Sequence, residues 1–303
     1  MPQIKANGLN LEYDTRGRPE DETILLICGL GTQMTRWHED FVSGFVNRGY
    51  RVVMFDNRDI GLSEKFDAAG PPNMAAIVTS LQAGETPPSA YYLDDMAADA
   101  AGLLEALHIE AAHIVGTSMG GMIAQLVATN HPERTRSLTS IMSTTGNPAL
   151  PRATPEAMAV LNTPAPDPRT HREAYLAHAV RNAGVIGSPA YPAPEADVRA
   201  RADRDVERSY YPIGFSRQYA AIMASPDRRP KLAGLTVPSL VIHGEADPLV
   251  PLAGGRDTAA AIPGADLLVI PGMGHDLPPQ LFAAIVDAVV GITQSPSRQQ
   301  AAQ

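Results

Sequence analysis

The stretch Gly116-Thr117-Ser118-Met119-Gly120 decides the fold of this chain. It follows an apolar, strand-like run, Ala112–Val115, and leads into an apolar, helix-like run, Met119–Ala128. A Gly-x-Ser-x-Gly between a strand and a helix is typical of a sharp turn that presents a serine, because the glycines leave room for a strained backbone. The free N–H groups at the start of the helix would stabilise negative charge developing near Ser118. An ordinary helix N-cap is the alternative role for Ser118, and the flanking glycines favour the exposed turn.

The composition is that of a globular protein. The chain has 303 residues, of which 44% are hydrophobic and 19% charged, and this balance allows a large core. The net charge is −9 and no basic run is interleaved with aromatic residues, so we expect no nucleic-acid partner. A single cysteine, Cys28, excludes an internal disulfide and fits a reducing compartment. With no apolar signal segment and no membrane-spanning run, we expect a cytoplasmic monomer or homodimer that binds no membrane.

Short apolar runs alternate with helical patterns along the chain, which predicts the α/β class with a mostly parallel sheet flanked by helices. Asn7-Gly8 between Gln3–Ala6 and Leu9–Tyr13 predicts an antiparallel hairpin. Further predicted strands are Ile24–Cys28, Val52–Phe55, Ala112–Val115, Leu138–Met142, Ser239–His243 and Leu267–Ile270, and predicted helices are Trp37–Asn47, Asn73–Ala83, Leu93–Leu107, Met119–His131, Thr258–Ile262 and Gln280–Val290.

The alternation is interrupted between Gly146 and Lys231. This segment is rich in Pro, Ala, Arg and Tyr, has no convincing buried strand, and carries helical periodicity over Glu173–Arg181 and Asp203–Tyr211. We therefore expect a core built from residues 1–145 and 232–294, an inserted helical cap over residues 146–231, and a disordered tail at 295–303.

A serine hydroxyl becomes a nucleophile only when a base takes its proton and an acid orients that base. In the chain order Ser, Asp, His, the acid follows a late strand and the base follows the last strand. Asp247 and His275 occupy these two positions. Asp247 could instead be only a turn residue before Pro248. Asp276 is the other candidate for the acid, but it is adjacent to His275 in sequence, and the side chains of adjacent residues seldom face each other. The other candidates for the base are three histidines. We expect His243 to be a structural residue at a strand end and His113 to lie in the buried core, and the third is His38.

Three motifs are a Gly-x-Ser-x-Gly turn after a strand, Gly244-Glu245-Ala246-Asp247 after a strand, and Gly272-Met273-Gly274-His275. With these motifs the sequence resembles the α/β-hydrolase superfamily along nearly the whole chain. The run Asp56–Ser63 is similar to the branch that contains aclacinomycin methylesterase and related small-molecule carboxylesterases. The resemblance implies that Ser118 is the nucleophile, His275 the general base and Asp247 the orienting acid.

An oxyanion hole needs two backbone N–H donors. Met119, directly after Ser118, and Leu30, in Cys28-Gly29-Leu30-Gly31, are the expected donors. Many relatives have His-Gly where this chain has Cys28-Gly29, so Cys28 is a departure that leaves the main-chain donors in place. A nucleophilic role for Cys28 is the alternative to a packed core thiol, and no base motif accompanies it. Asp56 and Arg58 are expected to form structural hydrogen bonds beneath the site.

The inserted segment predicts an apolar pocket above Ser118 for a bulky small molecule, although the same residues could simply pack the cap onto the core. No metal-ligand spacing and no Gly-x-Gly-x-x-Gly unit occurs, so we expect no metal and no cofactor. The candidate pocket residues are Met34, Trp37, Tyr210, Tyr211, Ile213 and Phe215.

The resulting hypothesis is hydrolysis of a carboxylic ester, either a polyketide-like methyl ester or the ring ester of a macrolide or other lactone, through an acyl-enzyme on Ser118. The alternatives are other acyl-type chemistry on the same fold (C–C bond hydrolysis, perhydrolysis or acyl transfer) and a ligand-sensing receptor that retains the three residues.

Overall fold

Eight strands form one sheet in a computed structural model of the chain, which describes residues 1–295. The predicted tail at 295–303 lies outside the described residues except for Ser295. The strands are β1 (Gln3–Ala6), β2 (Leu9–Arg16), β3 (Thr23–Ile27), β4 (Arg51–Phe55), β5 (Ala112–Thr117), β6 (Thr135–Ile141), β7 (Ser239–Gly244) and β8 (Asp266–Ile270). Their order in the sheet is β1-β2-β4-β3-β5-β6-β7-β8. Strands β3 to β8 pair in parallel, and β1 and β2 are antiparallel, so the predicted α/β class with a mostly parallel sheet is confirmed.

The sheet is covered by helices on both faces because its central strands are apolar on both faces. In β3, Ile24 and Leu26 belong to one hydrophobic cluster, and Leu25 and Ile27 belong to the other. The helices described in residues 1–295 are α1 (Glu39–Val46), α2 (Met74–Ala83), α3 (Leu93–Ala106), α4 (Met119–Asn130), α5 (Pro155–Asn162), α6 (Arg172–Ile186), α7 (Glu195–Arg208), α8 (Pro212–Ala224), α9 (Arg229–Leu232), α10 (Leu252–Ala261) and α11 (Phe282–Thr293). Helices α3 and α4 pack on one face, whereas α1 and α11 pack on the other.

The local predictions differ from the structure mainly at helix ends. The hairpin is confirmed, with Ala6 opposite Leu9 and both Asn7 and Gly8 at positive φ. The pattern over Asp203–Tyr211 runs past the end of α7 at Arg208. Tyr211 is not helical, with φ −141° and ψ 73°, because it precedes Pro212, which disfavours the helical conformation at the residue before it.

Residues 146–231 contain helices α5 to α8 and most of α9, which ends at Leu232, and charged side chains of α7 and α8 pair with residues outside this segment. Arg217 on α8 pairs with Asp59 at 2.7 Å, and both side chains are buried. Arg208 on α7 pairs with the buried Asp56 at 2.7 Å. The division into a core and a cap stays a prediction. Within residues 1–295, no helix has the length and apolar content needed to cross a bilayer.

Candidate active site

Ser118 sits on a strained turn between β5 and α4. Its backbone has φ 54° and ψ −119°, a conformation that residues other than glycine rarely adopt. The flanking glycines are needed because the chain comes very close to itself here. A Cβ on Gly116 would lie 2.0 Å from the carbonyl oxygen of Gly120, and a Cβ on Gly120 would lie 2.1 Å from that of Ile27. The turn therefore fixes where the Ser118 hydroxyl points.

The structure brings Ser118, His275 and Asp247 into one chain of hydrogen bonds. The Ser118 Oγ lies 2.9 Å from the Nε2 atom of His275, and the His275 Nδ1 atom lies 2.7 Å from the Asp247 Oδ2 atom. The side chain of Asp247 is fully buried, and that of His275 is nearly so. The three residues follow β5, β7 and β8, whose carboxyl ends lie at the same edge because these strands are parallel.

The carboxylate of Asp247 is held by more than the imidazole. Its Oδ1 atom accepts hydrogen bonds from the backbone N–H groups of Leu249 and Val250, both at 2.9 Å. The carboxylate can therefore fix the orientation of His275, with Nδ1 donating and Nε2 left to accept from a hydroxyl.

The competing histidines are placed differently relative to Ser118, although the Nε2 atom of His243 lies 3.7 Å from the Oδ2 atom of Asp247. His243 is buried, its Nε2–H donates to the carbonyl oxygen of Val250 at 2.7 Å, and its Nδ1 atom has no partner among the described residues. Burial lowers the pKa of His243, so this ring is held neutral. His113 is also buried and contacts Ser137, and His38 caps α1. None of the three takes the place of His275 beside Ser118.

The loop after β3 lies against Ser118. A Cβ on Gly29 would lie 3.3 Å from the Cβ and 3.9 Å from the Oγ of Ser118, and Leu30 is the next residue of this loop. Met119 is the first residue of α4, where a backbone N–H has no acceptor within the helix. The oxyanion roles of Leu30 and Met119 stay predictions.

Polar side chains from elsewhere in the chain hold this loop. Gln218 on α8 accepts from the N–H of Gly31 at 2.9 Å and donates to the carbonyl oxygen of Arg58 at 2.8 Å. Asn57 donates to the carbonyl oxygen of Cys28, and Asp56 accepts from the N–H of Met34. Sequence reasoning anticipated structural hydrogen bonds from Asp56, but it had no signal for Gln218, which is 187 positions from its partner.

A second contact missed from the sequence holds the loop that carries His275. The N–H of His275 donates to the carbonyl oxygen of Ile186 at the end of α6, at 2.7 Å. Ser188 is buried, its Oγ atom accepts from the N–H of Gly274 at 2.9 Å, and its hydroxyl donates to Asp276. Asp276 therefore bonds to Ser188 and not to the imidazole, and burial raises the pKa of its carboxyl group.

The candidate pocket residues are dispersed. Phe215 packs against the loop after β3, since a Cβ on Gly31 would lie 2.6 Å from the Phe215 ring. Tyr211 accepts from Arg217 and donates to Asp67, and Tyr210 packs edge-on against Tyr175. Ile213 is half-buried, whereas Met34 and Trp37 are buried in the hydrophobic cluster on the α1 face. Of this set, Phe215 is the one that contacts the loop beside Ser118.

The thiol of Cys28 is not arranged for nucleophilic attack. It is buried and lies 3.6 Å from the carbonyl oxygen of Gln33. Burial raises the pKa of this thiol, so the reactive thiolate is disfavoured. Within residues 1–295, no group of three or more His, Cys, Asp or Glu side chains is placed to hold a metal ion.

The fold and the Gly-x-Ser-x-Gly turn agree with the comparison to known families. The family model of the alpha/beta hydrolase fold matches residues 22–279, and the chain belongs to this family. It is similar to rhodomycin D methylesterase DauP from Streptomyces sp. (strain C5), with 28% identity covering 96% of this chain and 97% of that protein. It is also similar to 3-oxoadipate enol-lactonase 2 from Acinetobacter baylyi, with 25% identity covering 95% of each. A crystal structure of the enol-lactonase from Burkholderia xenovorans LB400 shares the fold, with a TM-score of 0.72 and 24% identity over 97% of this chain and 100% of that one.

Two helical glycines test the close approach at the turn. Replacing Gly120 by alanine places a methyl group against the Ile27 carbonyl, and we expect it to lower the free energy of unfolding by about 3 kcal/mol or more. The matched control is Gly184→Ala on the exposed part of α6, where an added Cβ meets nothing within 4 Å. That change should raise stability by about 0.5–1 kcal/mol, because alanine is the better helix former. Urea unfolding measures both, and equal effects would contradict the packing described.

Proposed function

We propose that the chain is a serine hydrolase of carboxylic esters in which Ser118 is the nucleophile, His275 the general base and Asp247 the orienting acid. The observation that supports this most strongly is the continuous hydrogen bonding from the hydroxyl of Ser118 through the imidazole to the buried carboxylate. The strained turn at Ser118 supports it as well, because such strain at a side chain facing a base is characteristic of functional sites.

The proposed reaction has two halves. The Ser118 Oγ attacks the ester carbonyl carbon while the proton passes to the Nε2 atom of His275. The tetrahedral oxyanion is stabilised by the N–H groups of Leu30 and Met119. His275 then protonates the departing alcohol, and the acyl group remains on Ser118. Water gives a proton to His275, attacks the acyl carbon and releases the acid, and the proton returns to Ser118.

The proposed substrate is a bulky apolar small molecule with a methyl ester or a lactone ring ester. The similarity to a methylesterase and to an enol-lactonase over nearly the whole length of each supports this class of bond. Residues 146–231 are proposed to act as the cap, and Phe215 beside Gly31 is the apolar side chain best placed to contact the substrate.

Turnover of simple esters tests the nucleophile. Ser118→Ala should lower kcat for p-nitrophenyl butyrate by about 10⁴-fold or more, because no other described group beside His275 can form the acyl-enzyme. Ser43→Ala on α1, outside the site, is the matched control and should retain wild-type turnover. Mass spectrometry with a panel of methyl esters, lactones and a diketone identifies the bond cleaved. Full turnover by Ser118→Ala, or a single slow burst by the wild type, would contradict the proposal.

The contact between Ser188 and the His275 loop gives a separate prediction for a positioning residue. Ser188→Ala leaves the Gly274 N–H and the half-buried Asp276 carboxyl without their partner, so His275 is less well held. We expect kcat to fall about tenfold while KM changes less than about twofold. Ser209→Ala is the control, because its hydroxyl donates to Gly61 away from His275, and it should change neither constant appreciably. An equal loss in both variants, or a loss explained by a lowered unfolding midpoint, would contradict a positioning role.

A further inference from the structure

A cleft beside α7 has a positive character that the proposed reaction does not use. Arg201, Arg204 and Arg208 are spaced three and four residues apart, so they project from one face of the helix. Arg36, from the turn after Met34, faces them across a cavity of about 400 Å³. This volume is sufficient for a small organic ligand. The remaining lining residues are Thr35, Asp205 and Glu207.

Two of the four arginines are neutralised and two are not. Arg36 pairs with Asp205, and Arg208 pairs with Asp56. In the part of the chain that the structure describes, Arg201 and Arg204 have no carboxylate within 4.0 Å and donate no side-chain hydrogen bond. Arg204 is exposed to water, but Arg201 is half-buried. The cleft therefore contains a partly desolvated guanidinium whose donors are unused.

The surroundings of Arg201 make a bound anion favourable. Burial and the positive charge of Arg36 lower the pKa of Arg201, and Arg204 acts in the same direction, while Asp197 and Asp276 oppose them. A guanidinium nevertheless stays protonated in proteins, so the charge remains. An oxyanion in the cleft would supply the missing acceptors, and the guanidinium donors can bind carboxylate or phosphate oxygens in pairs.

We propose that this cleft binds an anionic group of the substrate, a carboxylate or a phosphate, at a distance from the ester. The inference rests on the proposed function and adds a charged end to an otherwise apolar substrate. Two residues of the cleft are connected to segments that carry the proposed site. Arg36 is two residues from Met34, whose N–H donates to Asp56 in the segment that also holds the loop after β3 through Asn57. The charge of Asp276, which follows His275, opposes the lowering of the Arg201 pKa.

Binding is tested first without catalysis. In the Ser118→Ala protein, calorimetric titration should detect binding of glutarate or of inorganic phosphate. The affinity for this anion should fall about tenfold when Arg201→Gln is added. Arg199→Gln is the matched control, because Arg199 is on the same helix but pairs with Glu173 outside the cleft. Tighter binding of glutarate assigns a carboxylate to the site, and tighter binding of phosphate assigns a phosphate. Absence of binding, or equal loss in both variants, would overturn the proposal.

Catalysis then tests whether the anion belongs to the substrate. Mono-p-nitrophenyl esters of dicarboxylic acids with four to ten carbons are compared with p-nitrophenyl alkanoates of equal length. For at least one length, the ratio of kcat/KM for the acid-bearing ester to that for the neutral ester should fall about tenfold in Arg201→Gln but not in Arg199→Gln. An unchanged ratio at every length would overturn the substrate role. If no ester is turned over while the anion still binds, the ester-hydrolase proposal fails and the anion site stands.

Discussion

The site depends on one imidazole ring meeting two partners at once. His275 must present Nε2 to the hydroxyl of Ser118 while Nδ1 stays on the carboxylate of Asp247, and the observed separations are 2.9 Å and 2.7 Å. A ring held at only one nitrogen could rotate or change tautomer, and the hydroxyl would lose its base. The parallel strands β5, β7 and β8 make this arrangement possible, because they deliver the three residues to one edge of the sheet.

Residues 146–231 contribute hydrogen bonds to the loops around Ser118. The carbonyl oxygen of Ile186 and the hydroxyl of Ser188 hold the loop that carries His275, and Gln218 holds Gly31 in the loop after β3. Buried hydrogen bonds of this kind are costly to break. It follows that a movement admitting substrate has to preserve these contacts or else disturb the base and the oxyanion loop together.

Sequence reasoning succeeded where a local pattern has a local cause. The glycines around Ser118, the strand before Asp247 and the strand before His275 each report a backbone requirement that can be read within ten residues. It failed where the cause is distant. Nothing near Gln218 or Ser188 reveals partners at Gly31 or Gly274, and the burial of Met34 and Trp37 depends on packing against other helices. The positive charge of the cleft also could not be predicted, because Arg36 is distant from α7 in the sequence and lines the same cleft as Arg201 only in the folded chain.

The proposed reaction requires that His275, oriented by Asp247, removes the proton of the Ser118 hydroxyl. The most direct measurement is the site and rate of covalent labelling by a p-nitrophenyl alkylphosphonate, followed by mass spectrometry of the digested protein. We expect one adduct per chain on the peptide that contains Ser118, formed at least about 10³-fold more slowly in His275→Ala. Labelling of a different residue, or an equal rate with and without the imidazole, would contradict it.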